Sequence, residues 1–277
     1  MSDPKPCWNI LGQGESGELV LAVDFPATGR LQADFDALAP RLTAGHEFWR
    51  TAVNPTGRLS GVTSEEYIRP WLEEVRASGL PVRAVMGFCV GSVYAAVIAE
   101  AIAQWQDRAP DIILYDPELT HPETVYWQFY MVVESLSQML DADEAEQLRE
   151  AGRTALARLT DPVELAETLL GHFRDAVAVA CERSGLGEEF VEELVEMFSA
   201  FMSYLAIADQ ADPLPLWARA TALQSASTDN GLNRVRDKIL QRQDRLVAEE
   251  IVFEAVEHAE LLRSDEVAKV TTELLSK

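Results

Sequence analysis

Short apolar runs alternate with amphipathic stretches in the first part of the chain, and their spacing predicts the elements. The run ELVLAVDF (18–25) is a buried strand feeding the loop Pro26-Ala27-Thr28-Gly29. Residues 33–43 form a short helix stopped near Pro40, and Phe48 to Val53 is a second strand closed by Asn54-Pro55-Thr56-Gly57. Thr63-Ser64-Glu65-Glu66 opens a helix with acids in its first turn, and Gly79-Leu80-Pro81 ends it after Ser78. VRAVMG (82–87) is the next strand, followed by a helix from Val93 to Gln104, and DIILY (111–115) is another strand ending at Asp116-Pro117. Strands separated by helices in this way predict an α/β protein whose mostly parallel sheet is covered on both faces.

The rhythm changes after His121. Helical periodicity runs through 123–140, 143–158, 162–184 and 188–209, with no strand between them. The stripe Phe190, Leu194, Met197, Phe198, Phe201 and Leu205 is read as core packing. The α/β pattern then resumes. LWARATALQS (216–225) is a strand, 232–245 a mixed-charge helix, EIVFEAVE (250–257) the last strand, and 264–276 the last helix. The expected organisation is one α/β core in two pieces, 1–120 and 213–277, interrupted by a helical insertion over 121–212.

Composition narrows the partners. The chain has 277 residues, 48% of them apolar, which is ordinary globular usage. Its 23 Lys and Arg against 46 Asp and Glu give a net charge of −23, which disfavours nucleic acid and anionic membrane surfaces as partners. No basic stretch followed by an apolar segment opens the sequence, and no apolar run is long enough to span a bilayer, so a cytoplasmic location is expected. Cys7, Cys89 and Cys181 are too scattered for a disulfide framework and match no metal spacing, so no metal or other cofactor is expected.

The chemistry is concentrated at Gly87-Phe88-Cys89-Val90-Gly91, between a strand and a helix. A nucleophile on such a sharp turn needs little bulk two residues to either side, and glycine stands at both places. The Val90 N–H would then face a developing oxyanion at a helix N-terminus, an end that also favours a thiolate. A thiol nucleophile needs a base, and the base an orienting acid. His258 follows the last strand and is the base candidate; His46 and His121 lie at element ends and His172 within a predicted helix. Two acids fit: Asp116, ending the strand after the elbow helix, and Asp229, following the strand after the insertion.

These residues carry a resemblance to thioesterases of the α/β-hydrolase fold that end nonribosomal peptide and polyketide assembly lines. The pieces are DFPATG (24–29), GFCVGS (87–92), LYDPE (114–118) and EHAELLRSDEVAKV (257–270), and the likeness spans most of the chain. It implies a mostly parallel sheet flanked by helices, with 121–212 as the helical lid. The spacing from Cys89 to Asp116 matches the assembly-line-terminal type, which selects Asp116 as the acid and leaves Asp229 as the alternative. The family usually has Ser where this chain has Cys89 and Gly where it has Ser92, and the usual Gly-rich oxyanion segment is replaced by residues 26–29. Ala27 is then the first oxyanion donor, since Pro26 has no N–H, and Val90 the second. The resemblance further implies an acyl, aminoacyl or peptidyl thioester on the phosphopantetheine arm of a carrier protein, passed through a Cys89 thioester to a small-molecule acceptor. Two other readings use the same residues: an editing thioesterase that hydrolyses stalled thioesters, and a non-catalytic binding protein of the same fold.

Overall fold

The apolar runs become the strands of one sheet. The computed structural model describes residues 6–25, 32–53, 61–136, 139–238 and 245–277. The strands are β1 (Trp8–Gly12), β2 (Leu19–Val23), β3 (Glu47–Thr51), β4 (Val82–Phe88), β5 (Asp111–Tyr115), β6 (Thr221–Ser225) and β7 (Glu249–Phe253). Their order is β1-β3-β2-β4-β5-β6-β7, with β1 antiparallel to β3 and the other neighbours parallel. Every residue of β2 and β4 is buried, which is why these strands read as continuous apolar runs rather than alternating ones. This is the α/β-hydrolase fold.

The strands and their connections form one of two units: Met1–Val53, Ile68–Leu119 and Ala211–Lys277. Its helices are α1 (Phe35–Leu38), most of α2 (Ser64–Ser78), α3 (Gly91–Ile102), α8 (Leu214–Trp217), α9 (Gly231–Lys238) and α10 (Asp265–Leu275). The Phe35 and Tyr115 rings meet edge to face at 5.7 Å, and the Tyr115 hydroxyl bonds Thr271 Oγ1 of α10 at 2.9 Å. Arg83 of β4 points its buried guanidinium at the carbonyls of Leu274 and Leu275, so the C-terminal end of α10 is capped by a cation.

The second unit is Asn54–Tyr67 with Thr120–Gln210. It contains α4 (Pro122–Ser135), α5 (Ala142–Leu156), α6 (Pro162–Ser184) and α7 (Glu188–Ala208), with no strand among its described residues. Asp141 closes a capping box with Glu144, Asp161 caps α6, and Gly185 ends α6 in the left-handed region. Phe198 packs against Phe173 at 4.2 Å and Phe129 at 6.1 Å, but Phe190, at the start of the predicted stripe, is exposed. Among the described residues no helix is long and apolar enough to cross a membrane.

Several boundaries differ from the sequence expectation. β1 was not predicted; its five residues present one buried Trp8, and its pattern is too short to register as alternation. Residues 216–225 are not one strand. Pro215 presets a helical turn, α8, whose Trp217 is fully buried and donates its indole N–H to the Ser92 carbonyl at 3.1 Å, and the strand starts at Thr221. The predicted helix over 33–43 divides into α1 and a 3-10 turn at Ala39–Arg41 that holds Pro40. The last strand stops at Phe253, and His258 opens a 3-10 turn, His258–Arg263.

Candidate active site

Register brings the chemical residues to one edge of the sheet. Phe88 ends β4 opposite Tyr115, and Ser225 ends β6 opposite Phe253 of β7. Cys89 follows Phe88, Asp116 follows Tyr115, and His258 lies five residues beyond β7. Three segments distant in sequence therefore leave their strands on the carboxyl side of a parallel sheet, where such folds place their sites.

The elbow is strained at its centre. Cys89 has φ 51°, and the other described non-glycine residue in this left-handed region is Asp116, at φ 41°. Both are held by backbone bonds: Cys89 N–H to the Tyr115 carbonyl at 2.9 Å, and Asp116 N–H to the Leu223 carbonyl at 3.0 Å. Gly87 explains the motif spacing. A Cβ there would lie 2.5 Å from Ser92 Cα and 2.7 Å from the Gly91 oxygen, so only glycine lets the strand pass this close to the helix. Ser92 instead donates its hydroxyl to the Gly87 carbonyl at 3.0 Å, a bond across the elbow that a glycine at that position could not make. Val90 is the N-cap of α3, where a backbone N–H has no intrahelical acceptor. Cys89 itself is half-buried. Ala27, the other expected donor, lies outside the described residues.

His258 Nδ1 lies 2.8 Å from Asp116 Oδ2. A carboxylate there fixes the proton on Nδ1, which leaves Nε2 as an acceptor. The Asp116 carboxyl is buried and accepts a second bond at Oδ1 from the Ser225 N–H at 2.8 Å. The imidazole stacks on the Phe88 ring, with centroids 5.0 Å apart, beside the residue that carries the thiol. Asp229 is exposed in the turn before α9 and forms no hydrogen bond to His258 among the described residues. The other histidines are placed elsewhere: His46 bonds Ser16 at 2.9 Å, His121 caps α4 near Asp209, and His172 lies on α6.

Sequence reasoning gave no role to Glu118 or Gly231. Glu118 is buried, its N–H bonds the Cys89 carbonyl at 3.2 Å, and its carboxylate accepts the Gly231 N–H at 3.4 Å and faces Arg234 at 3.8 Å. Burial pushes its carboxyl above the ordinary range, while Arg234, His258 and the Gly231 amide pull it back. Gly231 has φ 62°, and a Cβ there would come within 2.6 Å of Gln224 and 3.0 Å of Asp116 Oδ1. The signal in the sequence was the position of Glu118, two residues after the acid in LYDPE.

No protein-family model matches the chain, and no curated protein matches it. Solved structures do. A NocB thioesterase domain in covalent complex with a fluorophosphonate nocardicin G analogue is 18% identical, with TM-score 0.51, over 95% of this chain and 96% of that one. A Vlm2 thioesterase domain bound with a dodecadepsipeptide is 16% identical, with TM-score 0.51, over 98% of both chains. A bromoperoxidase from Bacillus anthracis is 10% identical, with TM-score 0.52, over 97% of this chain and 94% of that one. These likenesses establish the α/β-hydrolase fold. That thioesterases and a bromoperoxidase both share it shows why the fold alone selects no activity.

Proposed function

We propose that this chain is a thioesterase-type enzyme that takes an acyl group from a carrier-bound thioester onto Cys89 and passes it to an acceptor. The observation that carries the reading is the strained Cys89 elbow beside a buried Asp116 bonded at 2.8 Å to His258. His258 Nε2 takes the Sγ proton, and the thiolate attacks the thioester carbonyl. The tetrahedral oxyanion is met by the Val90 N–H, with Ala27 as the second donor expected from sequence. Collapse expels the pantetheine thiolate, which recovers the proton from His258 and leaves an acyl-Cys89 thioester. An acceptor then gives its proton to His258 and repeats the attack, restoring the thiol. Asp116 holds the imidazole in the correct tautomer and offsets its charge at both stages.

The choice of thiol over hydroxyl shapes the outcome. Thioester exchange onto Cys89 is nearly energy-neutral, so the acyl group stays activated. That suits transfer to an amine, alcohol or second thiol better than plain hydrolysis. The donor on this reading is a carrier protein's phosphopantetheine arm, and the enzyme works in the cytoplasm. Two structural neighbours are thioesterase domains, one bound with a depsipeptide, which supports a peptide-like or aminoacyl cargo. Intact-protein mass spectrometry with an acyl-pantetheine donor tests the proposal. The wild-type chain gains the acyl mass and Cys89→Ala does not; uptake by Cys89→Ala would remove Cys89 as nucleophile. Discharge faster to water than to amines or thiols would favour the editing hydrolase instead.

A further inference from the structure

Glu118 is a buried carboxylate outside the candidate triad and tied to every part of it. Its backbone holds the Cys89 carbonyl at 3.2 Å, and its own strand end carries Asp116 two residues earlier. Its side chain, 5% exposed, is clamped from the other side by the first turn of α9, through the Gly231 N–H at 3.4 Å and the Arg234 guanidinium at 3.8 Å. The same Gly231 sits against Asp116 Oδ1. An isolated buried carboxylate would be costly, and this one has a cation and a helix-end amide in place. The charged groups that act on it are Arg234 from α9, His258 from the segment after β7, and Asp116 from its own strand end.

We propose that Glu118 is a positioning residue that acts by charge, placing a second carboxylate next to the Asp116–His258 pair to favour the imidazolium that His258 forms when it takes the Cys89 proton. The step is a single proton transfer, from Cys89 Sγ to His258 Nε2, giving a thiolate and an imidazolium with no co-reactant. Asp116 stabilises the cation through a hydrogen bond, and Glu118 does so through space in a site screened from water. Arg234 and the Gly231 amide oppose the burial that raises the Glu118 carboxyl, and the effect on His258 belongs to the ionised form. This inference rests on the triad reading above.

The test is the rate of Cys89 alkylation by iodoacetamide at pH 7, followed on the peptide that carries residue 89. Glu118→Gln keeps an acceptor for the Gly231 N–H and removes the charge. It is expected to lower the Cys89 alkylation rate about tenfold, because less of the site stands as thiolate and imidazolium and more as thiol and imidazole. Glu118→Ala lowers the rate likewise, and Glu118→Asp, which keeps the charge, leaves it unchanged. A rate unchanged in Glu118→Gln overturns the inference, because a purely structural role survives that substitution. If Glu118→Gln fails to fold, judged by circular dichroism, Glu118→Asp and Glu118→Ala decide: identical rates in the two overturn it. His258→Ala separates the two layers of argument. If it leaves the rate unchanged, the triad reading fails and Glu118 falls with it. If it lowers the rate while Glu118→Gln does not, only the role of Glu118 fails.

Discussion

At Cys89 the backbone and the side chain make opposite demands. Its φ of 51° is one that a residue with a Cβ adopts only at a cost of about 1–2 kcal/mol. On the proposed function a thiol at that place serves reactivity, not stability. Cys89→Gly is therefore expected to raise unfolding stability by about 1 kcal/mol, read from urea denaturation, while abolishing acyl loading. A net loss of stability would mean that contacts of the thiol outweigh the strain. Glu118 shows the same conflict as a pH effect. Its folded-state carboxyl is raised by burial, so its contribution to stability is full when it is protonated, below the ordinary glutamate range, and is lost as pH rises through the raised value. Glu118→Gln, always neutral, should melt above the wild type at neutral pH, with the gap closing as pH falls through the raised value and closed by about pH 4. A gap that widened on acidification would contradict this sign. The candidate residues Cys89, Asp116 and His258 could be picked out in the sequence because their types and order fit the proposed chemistry. Glu118 was not, because one glutamate among many acids shows its importance only once its burial and its facing Arg234 are seen.

Among the elements, the elbow depends on one missing side chain. Gly87→Ala would push a Cβ to 2.5 Å from Ser92 Cα, and both β4 and α3 are buried backbone that cannot yield. The expected cost is about 3 kcal/mol in urea unfolding, with loss of Cys89 reactivity before loss of the fold. A variant with wild-type stability would show that the elbow can relax. Elements with a continuous apolar run and a clear stop, such as β4 before GFCVGS and β5 before Asp116-Pro117, were readable to within a residue. α8 and β1 were not. Trp217 looks like strand interior by its apolar neighbours, yet it is fixed by a long-range bond to the Ser92 carbonyl that no local pattern encodes. β1 is an edge strand that buries Trp8 and exposes Ile10, and its place is set by pairing with β3 across some forty residues. The unpredicted pieces are those whose conformation is decided by partners distant in sequence.

For the whole molecule the decisive quantity is the net charge of −23. It separates two halves of the proposed donor that chemistry alone would treat as one. On the proposed function an acyl-pantetheine group would reach Cys89 by local contacts, and these are indifferent to a diffuse field. A carrier protein that is itself acidic approaches against that field, so encounter is opposed at low ionic strength. Screening shortens the reach of the repulsion from about 30 Å at 0.01 M salt to about 8 Å at 0.15 M. Loading of Cys89 from an acidic carrier protein should therefore accelerate several-fold over that range, through the association rate, while loading from a free acyl-pantetheine donor changes little. The measurement is the acylation rate by intact-mass quench with both donors at matched concentration. A carrier-borne rate that instead fell with salt would mean attraction. The docking face would then have to be a local basic patch strong enough to overcome the net charge, and the arginines of α9, Arg234 and Arg236, would be the first to substitute.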